Sequence, residues 1–463
     1  MSLNKFITPG SLLTVDLLIV SLVNWIYWLI ISKVATPLQV GQATSVYSFA
    51  VLTSTIALLG LDYTLVKKSS LQRTHVLGTA IIIELLFTSI SAPILLYLLS
   101  NILYHGSLYQ LGWIAVAIVI FSSLRYVLRY ALLGISDARS VLIINSIGAA
   151  LQLAIGYFLV SIGYGALGIL ASFLVNVMLV TVLSFIIARR RSFELLLGSV
   201  RYTREILKDA LINMPAPLAK TFIYSLSVVL LASFGINQSN VGTFYIALMV
   251  SFIAGGFGGN IAFMIIPISS THKKDFSADS IRIGLTLTAP LIVALMVAPK
   301  SILSIIGSAY VSADIILLVL SAAIFPYIIV TNAISKFNNL GKSKQIIAVG
   351  SIQLVAFLLP FLILVPYDGT LGAAFSILIA CISSALASIL WSDRILVKYV
   401  IRCFLPVVTG LASGYLLKLL FVSVNPTITI PLAVAVTLAT IFGLKNTSAN
   451  EIVVIAKGIM RQN

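Results

Sequence analysis

Residues 165–191 read GALGILASFLVNVMLVTVLSFIIARRR, and no charge interrupts residues 165–188. A helix rising 1.5 Å per residue needs about 20 apolar residues to cross the hydrocarbon core of a bilayer, so this stretch predicts a transmembrane helix. The arginines that close it, Arg189, Arg190 and Arg191, are the basic flank expected on the cytoplasmic side.

The same pattern extends in both directions. Apolar stretches precede it at 11–32, 40–61, 76–99, 111–133 and 139–161. Others follow at 210–234, 240–268, 280–298, 314–335, 345–366, 370–391, 399–421 and 427–444. The composition agrees: 60% of the 463 residues are hydrophobic, 9% are charged, and the mean hydropathy is +1.12. Soluble domains carry about 25% charged residues, so a water-soluble globular protein is excluded. Roughly 32 residues per span and loop give about 14 spans, which uses the whole chain and leaves no soluble domain. The first stretch is long enough to span, so it reads as the first helix and no cleavable signal peptide is expected. The tail 445–463 reads as an interfacial helix or a frayed end.

The net charge is +16, from 29 Lys and Arg against 13 Asp and Glu. In a membrane protein this points to the positive-inside bias and not to nucleic acid. With the N-terminus placed in the cytoplasm, all but four of the 29 basic residues fall in inner loops or near inner helix ends. The exceptions are Lys33, Lys300 and Lys418, on the outer side, and Lys220, within a span. Such asymmetry predicts an even number of spans, both termini in the cytoplasm, and cytoplasmic basic loops at 62–75, 189–209, 269–280, 336–344 and 392–402.

An internal repeat is visible. Val40-Gly41 and Val241-Gly242 open the second and eighth spans, an offset of 201. Leu133-Gly134 and Leu340-Gly341 end the fourth and tenth, an offset of 207. Leu167-Gly168 and Leu371-Gly372 open the sixth and twelfth, an offset of 204. The expected architecture is an all-α polytopic membrane protein. It has a six-helix lobe at 1–200, a second at 201–398 in the same orientation, and two further helices with a cytoplasmic tail at 399–463.

Several stretches resemble the polysaccharide flippase (Wzx-like) branch of the multidrug/oligosaccharidyl-lipid/polysaccharide exporter superfamily. They are Thr36-Pro37-Leu38-Gln39-Val40-Gly41 with Leu59-Gly60-Leu61-Asp62, Tyr130-Ala131-Leu132-Leu133-Gly134, Gly163-Tyr164-Gly165-Ala166-Leu167-Gly168, and Ile306-Gly307-Ser308-Ala309-Tyr310 with Leu340-Gly341-Lys342. The resemblance covers about residues 1–400. The family's basic residue after the second span is represented only by Lys67-Lys68, displaced by a few positions. The resemblance implies a flippase that carries a polyprenyl-linked oligosaccharide across the cytoplasmic membrane by alternating access of two lobes around a cationic cavity. It implies membrane lipids and glycan-assembly proteins as partners, and leaves coupling to H+ or Na+ open.

Charged groups inside spans are costly, about 2.5–3.5 kcal/mol each, and mark functional positions. Arg125 and Arg129 lie one turn apart on one helix face, flanked by Tyr126 and Tyr130, and Lys220 lies near mid-membrane. These three are the candidate substrate-binding cations, with Arg129 equally able to snorkel to the interface. Asp16 and Glu84 are candidate counter-charges or ion-coupling groups. Gly255-Gly256-Phe257-Gly258-Gly259 is either a helix break or a close-packing surface. The intramembrane amides, among them Asn145, Gln152, Asn176 and Asn332, are expected to bridge helices.

No catalytic site, cofactor or metal site is expected. His75, His105 and His272 are scattered, Cys381 and Cys403 have no metal spacing, and Gly341-Lys342-Ser343 lacks the first glycine of a P-loop. A multidrug exporter of the same superfamily is the main alternative, though three basic against two acidic intramembrane candidates favour an anionic headgroup. A membrane enzyme would need longer outer loops. A non-transporting subunit of a glycan-assembly complex remains as a third reading.

Overall fold

The structure is a computed structural model that describes residues 19–20, 22–69, 75–102, 109–135, 137–191, 193, 200–272, 277–392, 394–420 and 426–444. Among these every regular element is helical. The helices are α1 (Leu22–Val34), α2 (Pro37–Ala57), α3 (Leu61–Ser69), α4 (His75–Ile102), α5 (Tyr109–Gly134), α6 (Ala138–Ser161), α7 (Gly165–Arg190) and α8 (Val200–Asn213), followed by α9 (Pro215–Ser233), α10 (Gln238–His272), α11 (Ser277–Val297), α12 (Pro299–Ile306), a 3₁₀ turn (Ser308–Ala313), α13 (Asp314–Asn339), α14 (Ser343–Leu390), α15 (Arg394–Leu420) and α16 (Pro426–Gly443).

The chain is an all-α polytopic membrane protein, and the described residues of the expected apolar stretches lie mainly on helices. Among the described residues, nine helices are long and apolar enough to cross a bilayer, and three shorter apolar helices lie at Leu22–Val34, Ile223–Ser233 and Ile428–Gly443. The 48-residue α14 holds two of the expected spans, broken at Gly369, whose φ of 54° lies in the left-handed region. Large side chains such as Ile90, Tyr97, Trp113, Ile363 and Leu419 are exposed. In a bilayer such side chains face lipid, so their exposure carries no aqueous penalty.

Two expectations need correction. Residues 62–69, expected as part of a cytoplasmic loop, belong to α3. It is separated from α2 by a turn in which Leu59 (φ 48°) and Gly60 (φ 81°) are both left-handed. The residues after Gly60 offer apolar Leu61 and Leu65 to a core that buries both completely, and that burial outweighs the charge of the segment. Likewise, 200–209 of the basic connector join 210–213, expected as the start of a span, in α8, which buries Ile206 and Ala210 against the same core and presents Arg204 and Lys208 outward. A spacing of four residues between buried positions is the signature of an amphipathic helix.

The chain divides into two compact units, one spanning Leu22–Tyr245 and the other formed by the described residues before Leu22 and from Ile246 onward. In the first, α5 packs on α2, α3, α4 and α7, α6 packs on α7, and α9 packs on α2. In the second, α11 packs on α13, α15 and α16, and α13 packs on α14. The compact units therefore meet at 245/246, whereas the sequence repeat divides near 200. Repeat and shared core are different partitions of one chain.

The repeat reaches the backbone. Gly165 (φ 47°) and Gly369 (φ 54°) occupy equivalent hairpins and are both left-handed. Gly168 and Gly372 then follow at the same spacing. A Cβ on Gly168 would meet Leu159 at 3.0 Å, and one on Gly372 would meet the Leu364 backbone at 2.7 Å. The hairpin at Gly372 is too tight for a side chain at that point, and the one at Gly168 leaves little room for one.

The five-residue glycine run does not break α10, which continues to His272. A Cβ on Gly284 would lie 2.8 Å from the Gly258 carbonyl oxygen. The run is thus a close-packing surface between α10 and α11, as small residues provide in membranes. The same device serves α15, where Gly410 and Gly414 lie against Val293 and Val297 of α11.

Candidate functional site

The candidate site lies within the first unit, and α5 carries most of it. Arg125 is nine residues from Gly134, the end of the helix, a rise of roughly 14 Å. Its side chain is half-buried. It forms no hydrogen bond or ion pair among the described residues, and its Nε is buried and unsatisfied. Its neighbours are the ring of Tyr47 on α2 and that of Tyr130 one turn on. Arg129 differs. It too lies beside Tyr130, which also neighbours Asp62 of α3, and it has a polar or charged partner of its own. Arg129 is therefore built into a local network, while Arg125 is uncommitted.

Asp62 was read only as a loop residue of a family-like motif. The left-handed turn at Leu59-Gly60 starts α3 just before it, and the side chain is 5% exposed with an unsatisfied Oδ1. The signal in the sequence was an acid directly after a Leu-Gly pair, but its burial depends on α3 being a helix.

Tyr47 connects the cation to an aromatic cluster. Its ring stacks on Phe173 of α7 at 4.1 Å between centroids. Phe173 contacts Tyr27 at 5.4 Å, and Trp28 contacts Tyr245 at 5.0 Å. Tyr27 and Ser172 share a hydrogen bond of 2.8 Å between their hydroxyls. The Trp28 Nε1 proton, though buried, has no acceptor among the described residues. Edge-to-face and offset stacks of this kind contribute about 0.5–1.5 kcal/mol each beyond burial. The individual rings looked like ordinary span residues in the sequence, since they come from four separate helices.

The amides behave as interhelical partners. Asn176 Nδ2 of α7 donates to Gln152 Oε1 of α6, and Ser280 Oγ of α11 donates to Asn332 Oδ1 of α13 at 2.5 Å.

Glu84 of α4 is buried, and among the described residues it contacts neither arginine through a hydrogen bond or ion pair. The Lys220 main chain belongs to α9, on the same unit as Arg125, and its side chain lies outside the described set. Asp16 lies outside the described residues, as does the tail 445–463. Among the described residues, no group of three or more His, Cys, Asp or Glu could hold a metal ion.

At the outermost turns of α2 and α10 the two backbones touch. A Cβ on Gly41 would lie 1.7 Å from the Gln238 carbonyl oxygen, and one on Gly242 would lie 2.1 Å from that of Pro37. The contact is reciprocal, because Gly41 is to Pro37 as Gly242 is to Gln238. Ser45 Oγ donates to Gln238 Oε1 at 2.9 Å beside it. Thr36 and Gln39 fix the start of α2 with a capping box, Gln39 N donating to Thr36 Oγ1 at 3.3 Å and Thr36 N donating to Gln39 Oε1 at 3.0 Å.

No family model matches the chain, and no curated protein matches it either. Solved structures do. A lipid II flippase, MurJ, in an inward closed conformation, aligns with a TM-score of 0.74 at 13% identity, over 96% of this chain and 99% of that one. The MATE multidrug transporter DinF-BH aligns with a TM-score of 0.61 at 18% identity, over 85% of this chain and 96% of that one. A transporter of the MOP superfamily from Pyrococcus furiosus, described as having a binding pocket of reverse polarity, aligns with a TM-score of 0.56 at 15% identity, over 86% and 96%. At such identities the likeness concerns architecture: this chain has the polytopic helical fold that the lipid II flippase and the MATE transporters share.

Proposed function

We propose that the chain is a flippase that moves a lipid-linked oligosaccharide, carried on a polyprenyl phosphate or diphosphate, from the inner to the outer leaflet of the cytoplasmic membrane. The observation that carries this reading is Arg125, a guanidinium well inside a spanning helix with no anion of the protein beside it among the described residues. A cation held in a low-dielectric seam without a partner costs several kcal/mol. An anionic cargo offsets that cost, and a phosphate matches the guanidinium fork bidentately. Arg129 and Asp62 keep the neighbourhood near neutral, so the net attraction resides in Arg125, with Lys220 as the second candidate cation. The fold likeness to a lipid II flippase over 96% of the chain supports the same reading.

Transport proceeds by alternating access of the two repeat lobes, 1–200 and 201–398, with both termini in the cytoplasm and 399–463 as accessory helices. The test is complementation of glycan assembly in a flippase-deficient host, with membrane abundance measured in parallel. Arg125→Ala abolishes flipping, Arg125→Lys keeps part of it, Arg125→Glu keeps none, Lys220→Ala loses it, and Arg129→Ala is milder. Full activity of the Arg125→Ala, Lys220→Ala double variant at normal abundance refutes the cationic site. Drug efflux that survives these changes, with no complementation by the unaltered chain, assigns it instead to multidrug export.

A further inference from the structure

The segment between α7 and α9 has no part in the site above. α7, long and apolar enough to cross a bilayer, ends at Arg190, and α9 begins at Pro215. Between them α8 has only 14 residues, about 21 Å of helix. It carries Arg201, Arg204, Glu205, Lys208 and Asp209, so it is too short and too charged to cross. Joined to two apolar helices, it is held at the membrane surface where α7 emerges.

The two faces of α8 differ. Ile206 and Ala210 are fully buried in a core that also takes Ala188 of α7, Phe193, and Leu61 and Leu65 of α3. Phe193 is brought there by a turn in which its N–H donates to the Ala188 carbonyl at 3.2 Å. On the opposite face Arg204 and Lys208 lie one turn apart and are exposed. Leu211, the next position on that face, is 56% exposed. The acids of the helix, Glu205 and Asp209, each have a polar or charged partner. Arg204 and Lys208 form no hydrogen bond or ion pair among the described residues. The exposed face therefore offers uncompensated positive charge beside an apolar side chain, the composition of a helix that lies in a lipid interface.

α7 delivers the same combination. Met178, Val182 and Phe185 are exposed on one helix face, at intervals of four and three residues. Arg189 is the next position on that face and Arg190 adjoins it; both are exposed, and neither has a hydrogen bond or ion pair among the described residues. Arg191, by contrast, is held by Asp137 at 2.7 Å. A face suited to lipid tails over three turns thus ends in guanidinium groups at headgroup depth.

We propose that the exposed face of α8, together with Arg189 and Arg190, is a docking surface for anionic lipid headgroups of the leaflet at which α7 emerges. Phosphate oxygens accept from the guanidinium and ammonium groups, and Leu211 inserts among the upper carbons of the acyl chains. The buried face of α8 shares its core with α3, α4 and α5, so headgroups on the outer face brace those helices. The proposal rests on α7 crossing the bilayer and not on the cargo, so it can fail while the flippase reading stands.

The test uses the purified full chain in neutral detergent micelles, titrated with phosphatidylglycerol or with phosphatidylcholine of the same acyl chains. Bound lipid is counted by native mass spectrometry, and the melting temperature is recorded in parallel. Phosphatidylglycerol binds more tightly, raises the melting temperature more, and loses its advantage as salt is added. Arg204→Gln with Lys208→Gln lowers its affinity roughly thirtyfold, from about five- to sixfold per basic residue, and leaves phosphatidylcholine binding unmoved. Lys342→Gln with Lys344→Gln removes the same charge from exposed positions at the start of α14 and changes neither. Leu211→Asn also weakens phosphatidylglycerol binding, which a purely electrostatic surface does not show. The proposal is overturned if the two lipids bind alike, if the α8 double variant keeps the preference, or if the Lys342, Lys344 control loses it equally. It is overturned in favour of a soluble anion or an acidic protein if glycerol phosphate competes as well as the lipid, or if Leu211→Asn leaves binding unchanged. Should the α8 double variant fail to fold, Leu211→Asn and the salt dependence of the unaltered chain decide.

Discussion

Gly41→Ala is the sharpest structural test of the crossing between α2 and α10. The added methyl carbon would lie 1.7 Å from the Gln238 carbonyl oxygen, whereas a carbon rests about 3.3–3.6 Å from an oxygen. The opposing atom is helix backbone, so it cannot rotate away, and the two helices must part by roughly 1.6–1.9 Å. A gap of 0.5–1 Å already forfeits a quarter to a half of the dispersion well, so the contacts of the first turns are lost. The Ser45–Gln238 hydrogen bond, now 2.9 Å, stretches out of range, a further loss of about 1 kcal/mol. Overpacking typically costs about 1–3 kcal/mol. Against these stands the helix propensity gained on replacing Gly by Ala, about 1 kcal/mol. The net expectation is a destabilisation of about 1–3 kcal/mol, read by equilibrium unfolding in mixed micelles. Gly443→Ala is the control, since nothing lies within 4 Å of its added carbon, and it should be neutral or slightly stabilising. If Gly41→Ala proves as stable as the unaltered chain while Gly443→Ala behaves as expected, the backbone contact is wrong.

Gly284→Ala should cost about 1–3 kcal/mol by the same overpacking, because its methyl would lie 2.8 Å from the Gly258 carbonyl oxygen; unfolding midpoints within error of the unaltered chain would count against a close α10–α11 packing surface. Asp137 caps α6, accepting from Ser140 N at 3.2 Å, and pairs with Arg191 at 2.7 Å. Asp137→Asn should keep the cap and lose only a salt-sensitive fraction of 1 kcal/mol, whereas Asp137→Ala should lose about 1 kcal/mol more, with both compared in low and high salt. Ser45→Cys with Gln238→Cys, joined by a short bifunctional thiol reagent, should stop transport, and unchanged turnover at complete cross-linking would argue against alternating access of the two repeats.

Much of this architecture is legible without coordinates. A bilayer leaves no water for the backbone, so long apolar runs must be helices. The stretch at 165–188, bounded by Arg189–Arg191, could be read in no other way. A repeat was also legible in Val40-Gly41 with Val241-Gly242, Leu133-Gly134 with Leu340-Gly341, and Leu167-Gly168 with Leu371-Gly372. By contrast, α3 and α8 read as basic loops, since their helicity comes from burying Leu61, Leu65, Ile206 and Ala210 in a core assembled from other helices. Periodicity over so few apolar residues is too weak a signal to reveal that.

The candidate site divides in the same way. Composition and depth alone single out Arg125, Arg129 and Glu84, because charge within an apolar span is rare and costly. Only tertiary structure separates them. Arg129 is engaged near Asp62 and Tyr130, Arg125 is left uncommitted beside Tyr47, and Glu84 lies beside Ser123 with no ion pair among the described residues. Those distinctions, drawn among the described residues, depend on which helix faces meet, and each face is chosen by residues far apart in the chain. The sequence by itself determined that charges lie in the membrane; the packing of α2, α3, α4, α5 and α7 decided which charge has a partner.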